Sequence, residues 1–115
     1  TARVLVSIKP FVSKSVDKDI AFAVTAKFKN KLLNKPGIKV SSFFNTGSFG
    51  NAEYGIIGSI EKSGSSLVLV VKIIDIRTSA VVHLEHKKFE SISNINSISH
   101  EMTQRLLYVL QRRKK

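Results

Sequence analysis

The sequence has no cysteine, no tryptophan, two prolines and a single methionine. Without cysteine there can be no disulfide framework, no thiolate metal centre and no cysteine nucleophile; the redox compartment is left open, since cytosol and envelope both fit. Long apolar runs are also missing. None is longer than a run such as Leu67 to Val71, far short of the roughly 20 residues a helix needs to cross a bilayer. Acidic residues are scarce: eight Asp and Glu stand against nineteen Lys and Arg, a net charge of +11 that favours anionic partners through long-range attraction. Residues 1–57 hold nine basic and three acidic groups and residues 58–115 hold ten and five, so the excess is spread and charge alone marks no site. Thr1 to Val6 alternate like a strand and lack the apolar block and cleavage site of a signal peptide. Any export signal or lipid anchor is therefore expected to have been removed, or never to have existed.

What is present reads as one globular unit. Apolar residues make up 43% and charged residues 23% of 115 residues, enough for one core and too short for two, so a single domain is expected over residues 1–115. Val4, Val6 and Ile8 alternate and stop at Pro10, which predicts a first strand. Ser15 or Asp17 can cap a helix in which Ile20, Val24, Phe28 and Leu32 recur every four residues, and Asn34-Lys35-Pro36-Gly37 closes it. Strands are expected at Ile38 to Phe43, Tyr54 to Glu61, Ser66 to Ile76 and Ala80 to Glu90. The first two should be parallel, since a helix connects them. Ser66 to Ile76 is apolar on both faces, which suggests a central position; Lys87 and Lys88 suit an edge. Ile98, Met102, Leu106, Val109 and Leu110 predict a closing helix capped by Asn94 or Asn96. The fold class is α/β (α+β): about five strands in a mixed sheet packed by two main helices, in the order β-α-β-β-β-β-α.

The segment Tyr54-Gly55-Ile56-Ile57-Gly58-Ser59-Ile60-Glu61-Lys62-Ser63-Gly64, with Leu67 to Ile74 and the turn Asp75-Ile76-Arg77-Thr78, resembles the TolB amino-terminal domain family, whose relatives include LpoB-, CsgG- and FlgO-type envelope proteins. The likeness extends to the first strand running into Pro10-Phe11, the helix before Pro36-Gly37, and the closing helix. It implies a periplasmic or outer-membrane-associated protein-interaction domain, part of an exported or lipid-anchored assembly factor. Its partners would be envelope proteins, acidic or membrane-associated. It implies no catalytic residue and no cofactor.

The residues themselves offer few chemical constellations. His83-Leu84-Glu85-His86 has metal-ligand chemistry, yet strand alternation puts His83 and Glu85 on one face and His86 on the other, so three ligands do not converge. Gly47-Ser48-Phe49-Gly50 lacks the lysine and following helix of a phosphate loop. No nucleophile stands beside a base; Asp17, Asp19, Asp75 and His100-Glu101 are placed for capping, turns and solvation. No catalytic residue, metal or cofactor is therefore expected. Contact surfaces are better represented. Lys27, Lys31 and Lys35 form a basic row at helical spacing, Phe44 and Phe49 lie in or beside a loop at Asn45 to Asn51, and Lys87 and Lys88 lie on the last strand, whose edge can add a partner strand. The competing reading is a cytosolic domain that binds nucleic acid through its charge, although no RNA-binding or helix-turn-helix motif accompanies it.

Overall fold

The computed structural model describes residues 4–33, 35–40 and 52–113. Chain order is β1 (Val4–Ile8), β2 (Val12–Lys14), α1 (Lys18–Leu33), β3 (Ile38–Val40), β4 (Tyr54–Ser63), β5 (Ser66–Asp75), β6 (Ala80–Phe89), a short 3-10 turn at Ile92–Asn94, and α2 (Ile95–Arg113). The strands form one mixed sheet in the order β3-β1-β4-β5-β6, with β2 also paired to β4. β1 runs parallel to both β3 and β4, and β4, β5 and β6 form an antiparallel meander.

The α/β class, the mixed sheet and the two helices are as the sequence predicts, with one strand more than expected. Pro10 cannot donate to a ladder, so β1 ends at Ile8; the chain then re-pairs with the same neighbour further along, Val12 opposite Ser59 and Lys14 opposite Glu61. The edge position of β6 agrees with its lysines. The expected strand 38–43 is seen as Ile38–Val40, and its remainder lies outside the described residues.

Both helices lie on one face of the sheet and share one core. Val24, Phe28 and Leu32 of α1 and Met102, Leu106 and Leu110 of α2 are buried with Val6, Ile8, Ile56, Ile60, Leu69, Val71 and Ile73 of the strands. Asp17 starts α1: its Oδ1 accepts from the Asp19 N–H at 2.9 Å and its carbonyl from Ile20 at 3.0 Å. At the other helix the expected asparagine caps are not the ones used. Ser91 caps the 3-10 turn that leads in, and the Asn96 side chain accepts from Lys27 Nζ at 2.6 Å, tying the start of α2 to α1.

Two motif positions acquire physical roles. β4 turns Ile56, Gly58 and Ile60 toward the helices, and Phe11 from the β1–β2 link lies over Gly58. A Cβ placed there would stand 2.9 Å from the ring. Phe11 in turn packs against Phe28 with ring centroids 5.2 Å apart, and its N–H donates to Thr25 Oγ1 at 2.8 Å. The Asp-x-x-Thr turn is capped internally: Asp75 Oδ1 accepts from the Arg77 N–H at 3.0 Å, the Asp75 carbonyl from Ser79 at 2.7 Å, and Thr78 Oγ1 from Ala80 at 3.3 Å.

Replacing Gly58 with valine is expected to destabilise the protein by about 2 kcal/mol or more, since the branched Cβ must displace the Phe11 ring. Combined with Phe11→Leu, the loss should be smaller than the sum of the two single changes, because the smaller side chain relieves the same clash. Urea denaturation of the two single variants and the double variant checks this; strict additivity would contradict the contact.

Candidate functional site

A sheet covered on one face leaves the other to be accounted for. Register and alternation fix its membership. Residues of β4 and β5 between the buried positions point away from the helices, giving Ile57 and Ser59 on β4 and Val68, Val70, Lys72 and Ile74 on β5. On β6 the partners of these residues are Val81 opposite Ile74, Leu84 opposite Lys72, His86 opposite Val70 and Lys88 opposite Val68. A bulge between Ile73 and Ile74 places Val82 as the additional residue, so Val81 joins the open face while His83 stays on the covered one. Lys9 follows β1 on the same side, and Val12 and Lys14 extend the face across β2.

The resulting surface combines apolar and cationic groups. Val12 is 57% exposed and Val81 and Leu84 are each 54% exposed, so the face presents aliphatic side chains to solvent. Between β2 and β5 the face dips into a concavity of about 290 Å³ lined by Lys9, Pro10, Val12, Ile57, Val70 and Lys72. Lys9, Lys72, Lys14 and Lys88 share the rows that hold Ile57, Leu84 and Val68, and Glu61 is the single carboxylate in those rows.

The sequence-derived candidates fall in different places. Lys88 belongs to the open face; Lys87, opposite Leu69, points to the helix side of the same edge strand and is exposed. Lys27, Lys31 and Lys35 are half-buried beside the helix layer: Lys27 bridges to Asn96, and Lys35 sits in the turn between α1 and β3, its N–H donating to the Leu32 carbonyl at 3.3 Å. Phe44, Phe49 and the Asn45 to Asn51 loop lie outside the described residues. The open face thus gathers Lys88 from the expected set and adds Lys9, Lys72, Val12, Val70 and Leu84. The signal for it in the sequence is the doubly apolar character of Ser66 to Ile76.

The titratable clusters serve the fold. His83 Nε2 meets Glu85 Oε2 at 2.8 Å, and Arg105 of α2 bonds the other carboxylate oxygen, so Glu85, whose side chain is 10% exposed, ties β6 to α2. At the other end Arg113 donates to the Tyr54 hydroxyl at 3.0 Å, its guanidinium 5.6 Å from the ring centroid, and approaches Asp75 at 4.0 Å. Among the described residues, no three His, Asp or Glu side chains gather as a metal site would need, and no helix is long and apolar enough to cross a membrane.

A mixed sheet with two helices on one face defines an α/β domain. No protein-family model matches the chain, and no curated protein sequence does. Solved structures do. TolB from Acinetobacter baumannii is similar with a TM-score of 0.72 and 12% identity, covering 96% of this chain and 29% of that one. The LpoB C-terminal domain from Escherichia coli is similar with a TM-score of 0.60 and 14% identity, covering 79% of this chain and 85% of that one. Lipoprotein GNA1162 from Neisseria meningitidis gives 0.63 at 10% identity, covering 90% of this chain and 96% of that one. The chain therefore has the fold these proteins share, in agreement with the TolB-like resemblance of its motifs, and spans less than a third of the TolB structure.

Removing the Glu85 carboxylate is expected to cost about 1–2 kcal/mol, at the low end for hydrogen bonds to charged groups because Arg105 is half exposed. Lys88→Ala should change stability by less than about 0.5 kcal/mol. Thermal and urea unfolding of Glu85→Ala and Lys88→Ala separate the two; equal effects would contradict the assignment of Glu85 as a tie between β6 and α2.

Proposed function

We propose that this chain is a non-enzymatic protein-interaction domain of the cell envelope, part of an exported or lipid-anchored assembly factor, which works by docking a protein partner. The observation that carries the reading is the fold itself: two helices cover one face of the sheet, and the other carries exposed aliphatic side chains interleaved with lysines. Likeness to TolB, LpoB and a lipoprotein over most of the chain supports the envelope location. The ionisable groups that meet one another, around Glu85 and around Asp75, tie strands to α2, which supports a scaffold in preference to a reaction centre. The edge of β6, with Lys87 and Lys88, extends the proposed contact surface to a strand whose outer backbone groups are open to pairing.

Fractionation of cells expressing the native gene tests the location, and a nucleic-acid titration over a range of salt tests the competing use of the charge. The expected outcome is recovery with periplasm or membranes, with only weak nucleic-acid binding that lacks sequence preference. Recovery in the cytosol, together with tight binding whose affinity falls steeply and linearly with the logarithm of salt, would replace this reading by nucleic-acid recognition.

A further inference from the structure

We infer that the open sheet face binds an acidic amphipathic helix of a partner protein, its apolar stripe lying across β2, β4, β5 and β6 and its carboxylates meeting Lys9, Lys72 and Lys88. The inference rests on the interaction reading above and names the face and the chemistry of the partner. Four observations lead to it.

The first is dimension. Neighbouring strands stand about 4.8 Å apart, so the apolar line from Val12 on β2 through Ile57 and Val70 to Leu84 on β6 spans about 14 Å. That is the length covered by two to three turns of an α-helix, which presents apolar side chains at i, i+3, i+4 and i+7 along one stripe. The second is shape. The concavity of about 290 Å³ beside Val12 and Val70 accepts a protruding side chain from the helix stripe.

The third is charge. Rows that pair Lys9, Lys72, Lys14 and Lys88 with one Glu61, on a protein of net charge +11, repel a second copy of the same face and a basic partner, and attract carboxylates. The fourth is residue type. The apolar side chains of this face are Val, Ile and Leu on a sheet, and its described strand positions carry no Phe, Tyr or Trp. Shallow membrane insertion draws on aromatic anchors and protruding apolar groups, whereas a concave aliphatic floor suits a helix.

The test begins with a displayed library of random 16-residue peptides panned against the full chain. Peptides that also bind Lys72→Glu are removed by counter-selection. The retained peptides are expected to carry Asp and Glu flanking apolar residues at spacings of three and four. On binding they should shift the methyl resonances of Val12, Ile57, Val70, Ile74 and Leu84 and leave those of α1 unmoved. Binding should weaken about tenfold or more in Lys72→Glu and in Val70→Asn, two variants with unchanged unfolding midpoints or, failing that for Val70→Asn, Lys72→Glu alone. Retained peptides that are neutral or basic, or that shift methyls on the helices, would overturn the inference. So would phosphatidylglycerol vesicles that shift the open-face methyls when no peptide does, since an anionic lipid surface would then be the ligand. A photo-crosslinker at Val70 and another at Lys87, in native cells, separate the two levels of the proposal: adducts to one envelope protein at Lys87 and none at Val70 would leave the interaction reading standing and remove this face.

Discussion

The structure depends on a single constraint: both helices are placed on the same side of the sheet. The chain passes from β1 through β2 and α1 to β3, which lies parallel beside β1, so α1 must cross over one face; α2 follows β6 at the other end of the sheet and returns beside α1. Phe28 and Leu32 from one helix and Leu106 and Leu110 from the other then share the core with Ile56, Leu69 and Ile73. The chain keeps no third helix among its described residues for the opposite face. Valines and isoleucines on that face remain half-exposed, with lysines between them.

Other features follow from making that one-sided core close. The β1–β2 link has to lie down over the sheet to cap the α1 side, and Phe11 can do so only because Gly58 offers no side chain. Asp75 at the end of β5 and Glu85 on β6 fix the last residue and the middle of α2 against the meander, at Arg113 and Arg105. A fold specified by turn geometry, one glycine contact and a layer of interchangeable aliphatic residues tolerates wide sequence divergence, which accounts for shared architecture at low identity.

Much of this was legible in the sequence because period and composition report local physics. Ile20, Val24, Phe28 and Leu32 declared α1, Ile98 to Leu110 declared α2, and the strands expected at Tyr54 to Glu61 and Ser66 to Ile76 form a hairpin whose link has Gly64 at φ 61°. β2 escaped because a three-residue strand beyond a proline carries too little alternation to register. The open face was only half legible. The doubly apolar run at Ser66 to Ile76 suggested burial on both sides, and β5 is indeed interior; but whether a strand's second face is covered depends on where distant helices pack, which no local pattern encodes. The lysine row illustrates the same limit. Spacing by four aligned Lys27, Lys31 and Lys35 as a basic row, and gave no sign that Lys27 bridges to Asn96 across the helix pair.

The central claim, that the described elements leave one face of the sheet uncovered, is tested most directly by methyl NMR in the presence of a soluble paramagnetic agent. Methyls of Ile57, Val70, Ile74 and Leu84 are expected to relax much faster than those of Ile56, Leu69, Ile73 and Leu106, whose side chains face the helices or belong to them. Equal protection of the two sets, at concentrations where the protein is monomeric, would mean that the second face is covered within the chain itself and is no docking surface.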